Sequence, residues 1–485
     1  MRTKLLSALL TLGLAGCTTG PDYVRPDVAT NADWHQSSAL AARHADAPAP
    51  ALDAWWKGFD DPQLVTIVER VLAQNLDLAA SAARVEQARA AASRAEANRL
   101  PEGSLDGSAV RQRQSLHSPL GKIASAFPGY DRQQTIEEVG AGASWELDLA
   151  GGLRRGAEAA NAEYQAAEAS HAGVRISLAA EAADAYFRVR GAQARIGIAE
   201  EQIRNEAGLV DLVRLRTEHG LGTARETAQA EALLLQARAT IPPLRIELET
   251  QLNRLDVLMG AAPGTYAAEL ATPARAYVVP GLDAAGGPAS LLRRRPDVIA
   301  AERELAASNA RIGVALSQYY PSLSLSSLLG FSTLDTGKLF TESAFQPQAA
   351  LGLHWRLFDF GRVDAEVRQA KGANAEALAT YRASMLRATE DVENAIVSLT
   401  QLEAQHTLLT DEVAAHTKAR DAAQDAYKGG AVSLIEVLDE DRQLLASRDL
   451  LARVHADDAR SAVAAFRALG GGWDAPRDEV AATEH

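Results

Sequence analysis

The residues able to do chemistry are few and scattered. The chain has ten His in 485 residues, and no two stand three or four apart, so no helix face offers a pair of imidazoles to a metal. There is no His-Glu-x-x-His run, no Cys pair and no Gly-x-Ser-x-Gly elbow. Thr336-Gly337-Lys338 echoes the end of a phosphate loop, but the glycine spacing ahead of it is wrong. These absences argue against an enzyme, and the sequence calls for no cofactor and no metal. Two features remain. One is Cys17, the only cysteine. The other is the carboxylate pair Glu436 and Asp439, which at three residues apart share a helix face. Because Glu440 and Asp441 follow directly, that pair also reads as part of an ordinary solvated acidic face.

Cys17 has an informative context. Arg2 and Lys4 give a basic start, Leu5 to Ala15 a short apolar run, and Leu14-Ala15-Gly16 small residues before the thiol. That order describes an export signal, and the apolar run is too short to span a bilayer. The segment resembles a bacterial lipobox, whose Cys is acylated before cleavage makes it the new N-terminus. The alternative is an ordinary signal peptide with an incidental Cys. An exported chain with one Cys has no internal disulfide. Thr18 follows rather than Asp, which in lipoprotein sorting favours the outer membrane. Residues 1–16 are therefore expected as a signal peptide and 17–60 as a lipidated tether. The formal net charge of −14 argues against nucleic acid as a partner.

The elements that must position these residues come in two sets. Asn75-Leu76-Asp77-Leu78 leads through an Ala-rich stretch to Pro101, and Arg295-Pro296-Asp297-Val298 leads through a similar one to Pro321. Asp to Pro is 24 positions in both (101−77 and 321−297). Trp145 and Trp355, Gly151 and Gly361, Gly220 and Gly430, and Thr223 and Ser433 all pair at an offset of 210. Such a fixed offset predicts two internal structural repeats, over 61–260 and 296–470, with a Pro-rich connector at 261–295 and a tail at 471–485. No Pro lies between 129 and 241 or between 348 and 475, which leaves room for long helices. The expected helices are Asp61–Leu100, Leu153–Glu218 and Ala224–Met259, then Asp297–Tyr319, Arg362–Tyr427 and Leu434–Leu469. Leu153–Glu218 alone would be about 100 Å long. The two Pro-free tracts read as neighbours in a packed helical bundle or tube, with an ordinary antiparallel coiled coil as the alternative from periodicity alone.

Strand signals precede each long helix. Val139, Ala141, Ala143, Trp145, Leu147 and Leu149 alternate with Gly, Ser, Glu and Asp; Ala349, Leu351, Leu353, Trp355 and Leu357 alternate with a mixed set. After Pro321, Leu323, Leu325, Leu329 and Phe331 alternate with Ser and Gly, and a weaker strand follows Pro101. Period-two alternation over about ten residues fits transmembrane barrel strands, or a soluble sheet with one buried face. Four strands cannot close a membrane barrel, and unpaired edges are not tolerated in hydrocarbon. The barrel reading therefore requires oligomers: a dimer of eight strands or a trimer of twelve.

At this point the chain resembles a known family, the outer membrane efflux proteins or TolC-like outer membrane factors, and within it the NodT-type lipoproteins. The resemblance spans nearly the whole mature chain. It rests on Gly20-Pro21-Asp22-Tyr23, Trp55-Trp56-Lys57-Gly58-Phe59-Asp60-Asp61-Pro62, Asn75-Leu76-Asp77-Leu78, Arg294-Arg295-Pro296-Asp297 and Trp355-Arg356-Leu357-Phe358-Asp359. It implies a mixed α and transmembrane β fold: a homotrimeric 12-stranded β-barrel, four strands per chain, continuous with a long periplasmic α-helical barrel. It implies a passive conduit in a tripartite multidrug efflux system, with a periplasmic adaptor (membrane fusion protein) and a proton-driven inner-membrane pump as partners. The outer membrane lipid is the remaining partner.

The same resemblance implies roles for particular residues. The helical turns at Gly220 to Thr223 and Gly430 to Ser433 would be periplasmic tips that touch the adaptor, besides being good helix punctuation. Tyr427, Ile435, Glu436 and Asp439 would form the closed periplasmic gate. Val432 stands where some members carry an Arg that latches the tip, so closure is expected to lean on packing. A type I protein secretion conduit shares the fold and is the alternative function. A lipoprotein that forms no pore is a third reading.

Overall fold

In this computed structural model the described residues are 18–27, 31–43, 47–271, 277–283, 287–292 and 294–474. The signal segment, Cys17 and the last eleven positions lie outside them. The helices are α1 (Ser37–Ala41), α2 (Pro62–Gln74), α3 (Leu76–Ala97), α4 (Pro119–Ala124), α5 (Gly152–Glu218), α6 (Ala224–Ala239), α7 (Ile241–Leu258), α8 (Ala267–Leu270), α9 (Gly287–Leu292), α10 (Pro296–Ser317), α11 (Arg362–Lys428) and α12 (Leu434–Ala468). The strands are β1 (Glu102–Arg113), β2 (Gln133–Leu147), β3 (Ser322–Thr333) and β4 (Phe345–His354). Among the described residues no helix is long and apolar enough to cross a membrane.

The two longest helices, α5 and α11, have 67 residues each and start and stop at the same offset of 210 (362−152 and 428−218). Both begin after a glycine in the left-handed region, Gly151 (φ +77) and Gly361 (φ +84). Two expected helices are broken instead. The stretch from Asp61 to Leu100 divides at Asn75, whose backbone is extended at ψ 130. Its side chain accepts from the Leu78 amide (3.0 Å) and donates to the Leu258 carbonyl (2.9 Å), so one Asn starts α3 and ties it to α7. The stretch from Ala224 to Met259 divides at Thr240, because Pro242 and Pro243 cannot lie in a helix interior but suit the first turn of α7.

The chain separates into two compact units. The first combines the described residues up to Pro26 with Val85–Ala167 and Ala301–Tyr381, and it holds one antiparallel sheet of order β1-β2-β3-β4. Directly paired residues share a face, so the register assigns the two faces. Leu105, Ala141, Leu329 and Pro347 form one row, and Trp145 pairs with Leu325, which pairs with Leu351. The opposite face carries Ser108, Glu138 and Ser332 in one row, and Asp106, Gly140, Gly330 and Gln346 in the next. Ser332 donates to Glu138 across that polar face (3.3 Å). Besides the Val110–Ile136 pair, Leu328 is an apolar exception there. Its Cδ1 lies only 2.8 Å from where a Cβ on Gly140 would be, so the glycine makes room for it.

The same unit repeats one tryptophan bond. The Trp145 indole donates to the Arg99 carbonyl (2.9 Å), and the Trp355 indole to the Tyr319 carbonyl (3.0 Å). Each locks the end of a strand to the turn that leads into the preceding one. Thr19, two residues past Cys17, is also fixed here: its amide and hydroxyl both donate to the Ala150 carbonyl.

The second unit, Asp27–Arg84, Glu168–Ala300 and Arg382–His485, holds the main core. The segment expected as a tether through Asp60 ends in a 3-10 helix, Leu52–Phe59, whose Trp55, Trp56 and Phe59 are buried. Trp55 stacks on Phe466 of α12 (5.5 Å between ring centroids), and Phe59 packs on Phe187 of α5 (5.0 Å). Asp61 then caps α2, and its carboxylate accepts from the buried Tyr186 hydroxyl at 2.5 Å. The Trp-Trp-Lys-Gly-Phe-Asp-Asp-Pro run is thus a clasp across three helices.

Candidate functional site

Two surfaces of the chain stand out. The first is the sheet. Leu105, Leu329, Leu351 and Leu353, all on the apolar face, are 60 to 79 % exposed in the single chain. The sheet also ends in two edges, β1 and β4, that pair with nothing among the described residues.

The second surface is the pair of helix turns joining α5 to α6 and α11 to α12. Gly220 (φ +70) and Gly430 (φ +75) end their helices in the left-handed region. In each, the following amide reaches back five residues, Leu221 to the Arg216 carbonyl (2.8 Å) and Ala431 to the Ala426 carbonyl (2.9 Å). This glycine-terminated geometry satisfies the last carbonyls. The next helices start alike. Thr223 and Glu226 form a reciprocal capping box, and the Glu436 carboxylate accepts from the Ser433 amide (3.3 Å) and hydroxyl (3.2 Å). Alanine at Gly430 should cost roughly 1–2 kcal/mol, because a Cβ is disfavoured in this region. Faster amide exchange confined to the last turn of α11 and the first of α12 would register it.

The four residues expected at the gate gather around the second turn but differ in environment. Tyr427 is 4 % exposed and packs with Leu209, Val210 and Val213 of α5 and with Leu434, Val437 and Leu438 of α12. Burial raises its hydroxyl pKa above the ordinary value, against the pull of Arg216. Ile435 is half exposed at 51 %. Asp439 is exposed and lies 3.6 Å from Arg442 on its own helix. Glu436 is occupied in capping α12, as Glu226 is in capping α6. Ile435 and Asp439 line one groove with Leu233 and Gln236 of α6.

Sequence reasoning missed Arg216. With Val432 in place of an arginine, closure was expected to lean on packing. A cation from the other turn does sit beside Tyr427: the Arg216 guanidinium lies 4.8 Å above its ring, a contact worth about 0.5–2 kcal/mol. The negative charge of Glu226 opposes it, raising the Tyr427 hydroxyl pKa. The offset of 210 could not have found this contact, because it joins unlike positions of the two halves. Ion pairs brace the helices behind the turns. Arg195 forks onto Asp449 (2.7 and 2.9 Å), and Arg448 meets Glu201 (3.1 Å).

A sheet with one greasy face, joined in sequence to very long helices with matched turns, is the fold of TolC-like outer membrane channels. A solved structure of the outer-membrane channel OprN superposes with a TM-score of 0.85 at 33 % identity, covering 94 % of this chain and all of that one. The open-state MtrE channel of Neisseria gonorrhoeae gives a TM-score of 0.83 at 26 % identity over 94 % of this chain and 99 % of that one. The chain belongs to the outer membrane efflux protein family, whose profile matches residues 67–261 and 287–471. Among relatives, the pyoverdine export outer membrane protein OpmQ of Pseudomonas putida is 32 % identical, with 96 % of this chain and 97 % of that protein covered. The toluene efflux pump outer membrane protein TtgI of Pseudomonas putida is 30 % identical over 98 % of this chain and 99 % of that protein. Members are channel proteins of the outer membrane with large periplasmic helical parts.

Proposed function

We propose that three copies of this chain close a 12-stranded β-barrel in the outer membrane, continuous with a periplasmic α-helical barrel. The assembly serves as the passive outer conduit of a tripartite multidrug efflux system. The observation that carries the reading is the four-stranded sheet with an exposed apolar face and two open edges. Open edges in hydrocarbon are costly, and further copies of the same sheet are the simplest way to pair them. Each chain contributes two structural repeats, supported by the matched 67-residue helices, the two left-handed turns and the two tryptophan bonds. Export of pyoverdine and toluene by the named relatives supports small-molecule cargo. A proton-driven inner-membrane pump supplies the energy, and a periplasmic adaptor docks at the tips through Gly220, Thr223, Gly430 and Ser433. A lipid on Cys17 adds a second hold on the membrane.

The gate consists of Tyr427, Ile435, Glu436 and Asp439 around the threefold axis. Asp439 is the freer carboxylate and forms the acidic ring, which favours cations. Arg216 holds Tyr427 in the closed arrangement. Purified protein in planar bilayers tests this directly. Wild type should show cation-selective channels of low conductance. D439A should lose much of the selectivity, and R216A should open more often. A wild type without channels, or D439A with unchanged conductance and selectivity, would sink the gate as described.

A further inference from the structure

Between three and four turns behind the tip, α5 carries a carboxylate in a place that suits no carboxylate. Glu206 is 1 % exposed, more buried than any other described acidic group near the tips. Gln202, one turn back on α5, donates to one of its oxygens. The other oxygen, Oε2, has no hydrogen-bond partner among the described residues. The side chain of α12 that acts most strongly on it is another buried carboxylate, Asp441, 8 % exposed. From α11 comes Arg420, which acts on both carboxylates but lies 3.1 Å from its own neighbour Asp421. The cluster therefore holds three carboxylates from three helices against one guanidinium. A buried charge without a full set of donors is strongly disfavoured, and the least costly remedy is to bind a proton.

We propose that Glu206 is a proton-binding site and that its proton latches α5 to α12 behind the tip. With the proton on, the acid packs as a neutral group beside Gln202, and Asp441 is relieved of one of its two like charges, leaving only that of Asp421. When it leaves to solvent, two carboxylates face each other in a dry setting, and separating the helices to admit water relieves both. Burial first, and Asp441 second, push the Glu206 pKa up to about 7; burial raises Asp441 as well. The sign follows from that direction. The packed form binds the proton more tightly than a hydrated carboxylate does. Its advantage is complete below the ordinary Glu range and is lost as pH rises through about 7. The latch is thus closed by acid and released near neutrality. Its bearing on cargo entry rests on the conduit reading, whereas the packing of the helices does not.

Amide hydrogen exchange on the full chain in detergent, corrected for intrinsic rates, separates the two. In wild type, backbone amides around Glu206 and around Asp441 should be on the order of tenfold less protected at pH 8 than at pH 6. E206Q keeps the shape without the charge and should abolish the step. D441N should keep a step but move its midpoint to lower pH. The same step in E206Q, or no step in wild type, overturns the latch. A step lost in E206Q from a protein that conducts no ions leaves the latch standing and removes the conduit. Conducting channels with an unchanged step in E206Q do the reverse.

Discussion

L329R should fail to enter membranes, while S326R three residues away should enter normally. Both side chains lie on β3 and both are exposed in the single chain, so neither loses a packed neighbour. They differ in face. Leu329 pairs with Ala141 and Pro347, in the apolar set; Ser326 pairs with Ser144 and Ala350, in the polar set. An arginine near the bilayer midplane of a barrel costs about 2–4 kcal/mol on the lipid face, whereas on the lumen face it meets water. Fractionation after urea washing, with the migration of unheated samples on gels, reads insertion and assembly. S326R should then narrow the lumen and lower single-channel conductance. Equal insertion of both variants would mean that the register-derived faces do not meet lipid and water.

The second large effect is expected in the helical unit. W55A should destabilise the helical unit by about 3–5 kcal/mol, the range for deleting a buried aromatic. Trp55 is fully buried, stacked on Phe466 and edge-on to Trp56 and Phe59. Removing it opens a cavity between the 3-10 helix and α12 and loosens Phe59 from Phe187. The helical circular-dichroism signal should melt at lower temperature, and W55F should recover most of the loss by keeping a ring against Phe466. If W55A melts like wild type, Leu52–Phe59 is not a clasp.

Most of the helical and strand pattern was legible because it depends on local chemistry. Proline-free tracts rich in Ala, Leu and Glu allow only long helices, and glycines at Gly220 and Gly430 end them. Alternation in β2 and β3 gave strands whose faces the register then matched. What was not legible depended on partners distant in sequence. Asn75 looks like a helix residue until the Leu258 carbonyl is seen beside it. Pro242 and Pro243 were visible, but the good helix formers on either side masked the break. Trp55 and Phe59 follow an irregular stretch and so read as tether, although their partners lie on α5 and α12. At the tips, Asp439 and Tyr427 were singled out by resemblance to a family motif. Arg216 and Glu206 were not, because an Arg and a Glu among dozens on amphipathic helices carry no sequence mark of burial.

The paired indole bonds of Trp145 and Trp355 fix more than the strand ends. Each ring is part exposed and tethered by its polar edge to the turn below the sheet. Indoles with one wet and one greasy side settle at the headgroup level. In a barrel of three chains, six such rings would trace a waterline at the periplasmic rim. Sliding the sheet by one residue pair, about 7 Å along a strand, would drag every ring off that line together. In such a barrel the depth of immersion would be set by two hydrogen bonds per chain, rather than left to the length of its apolar band.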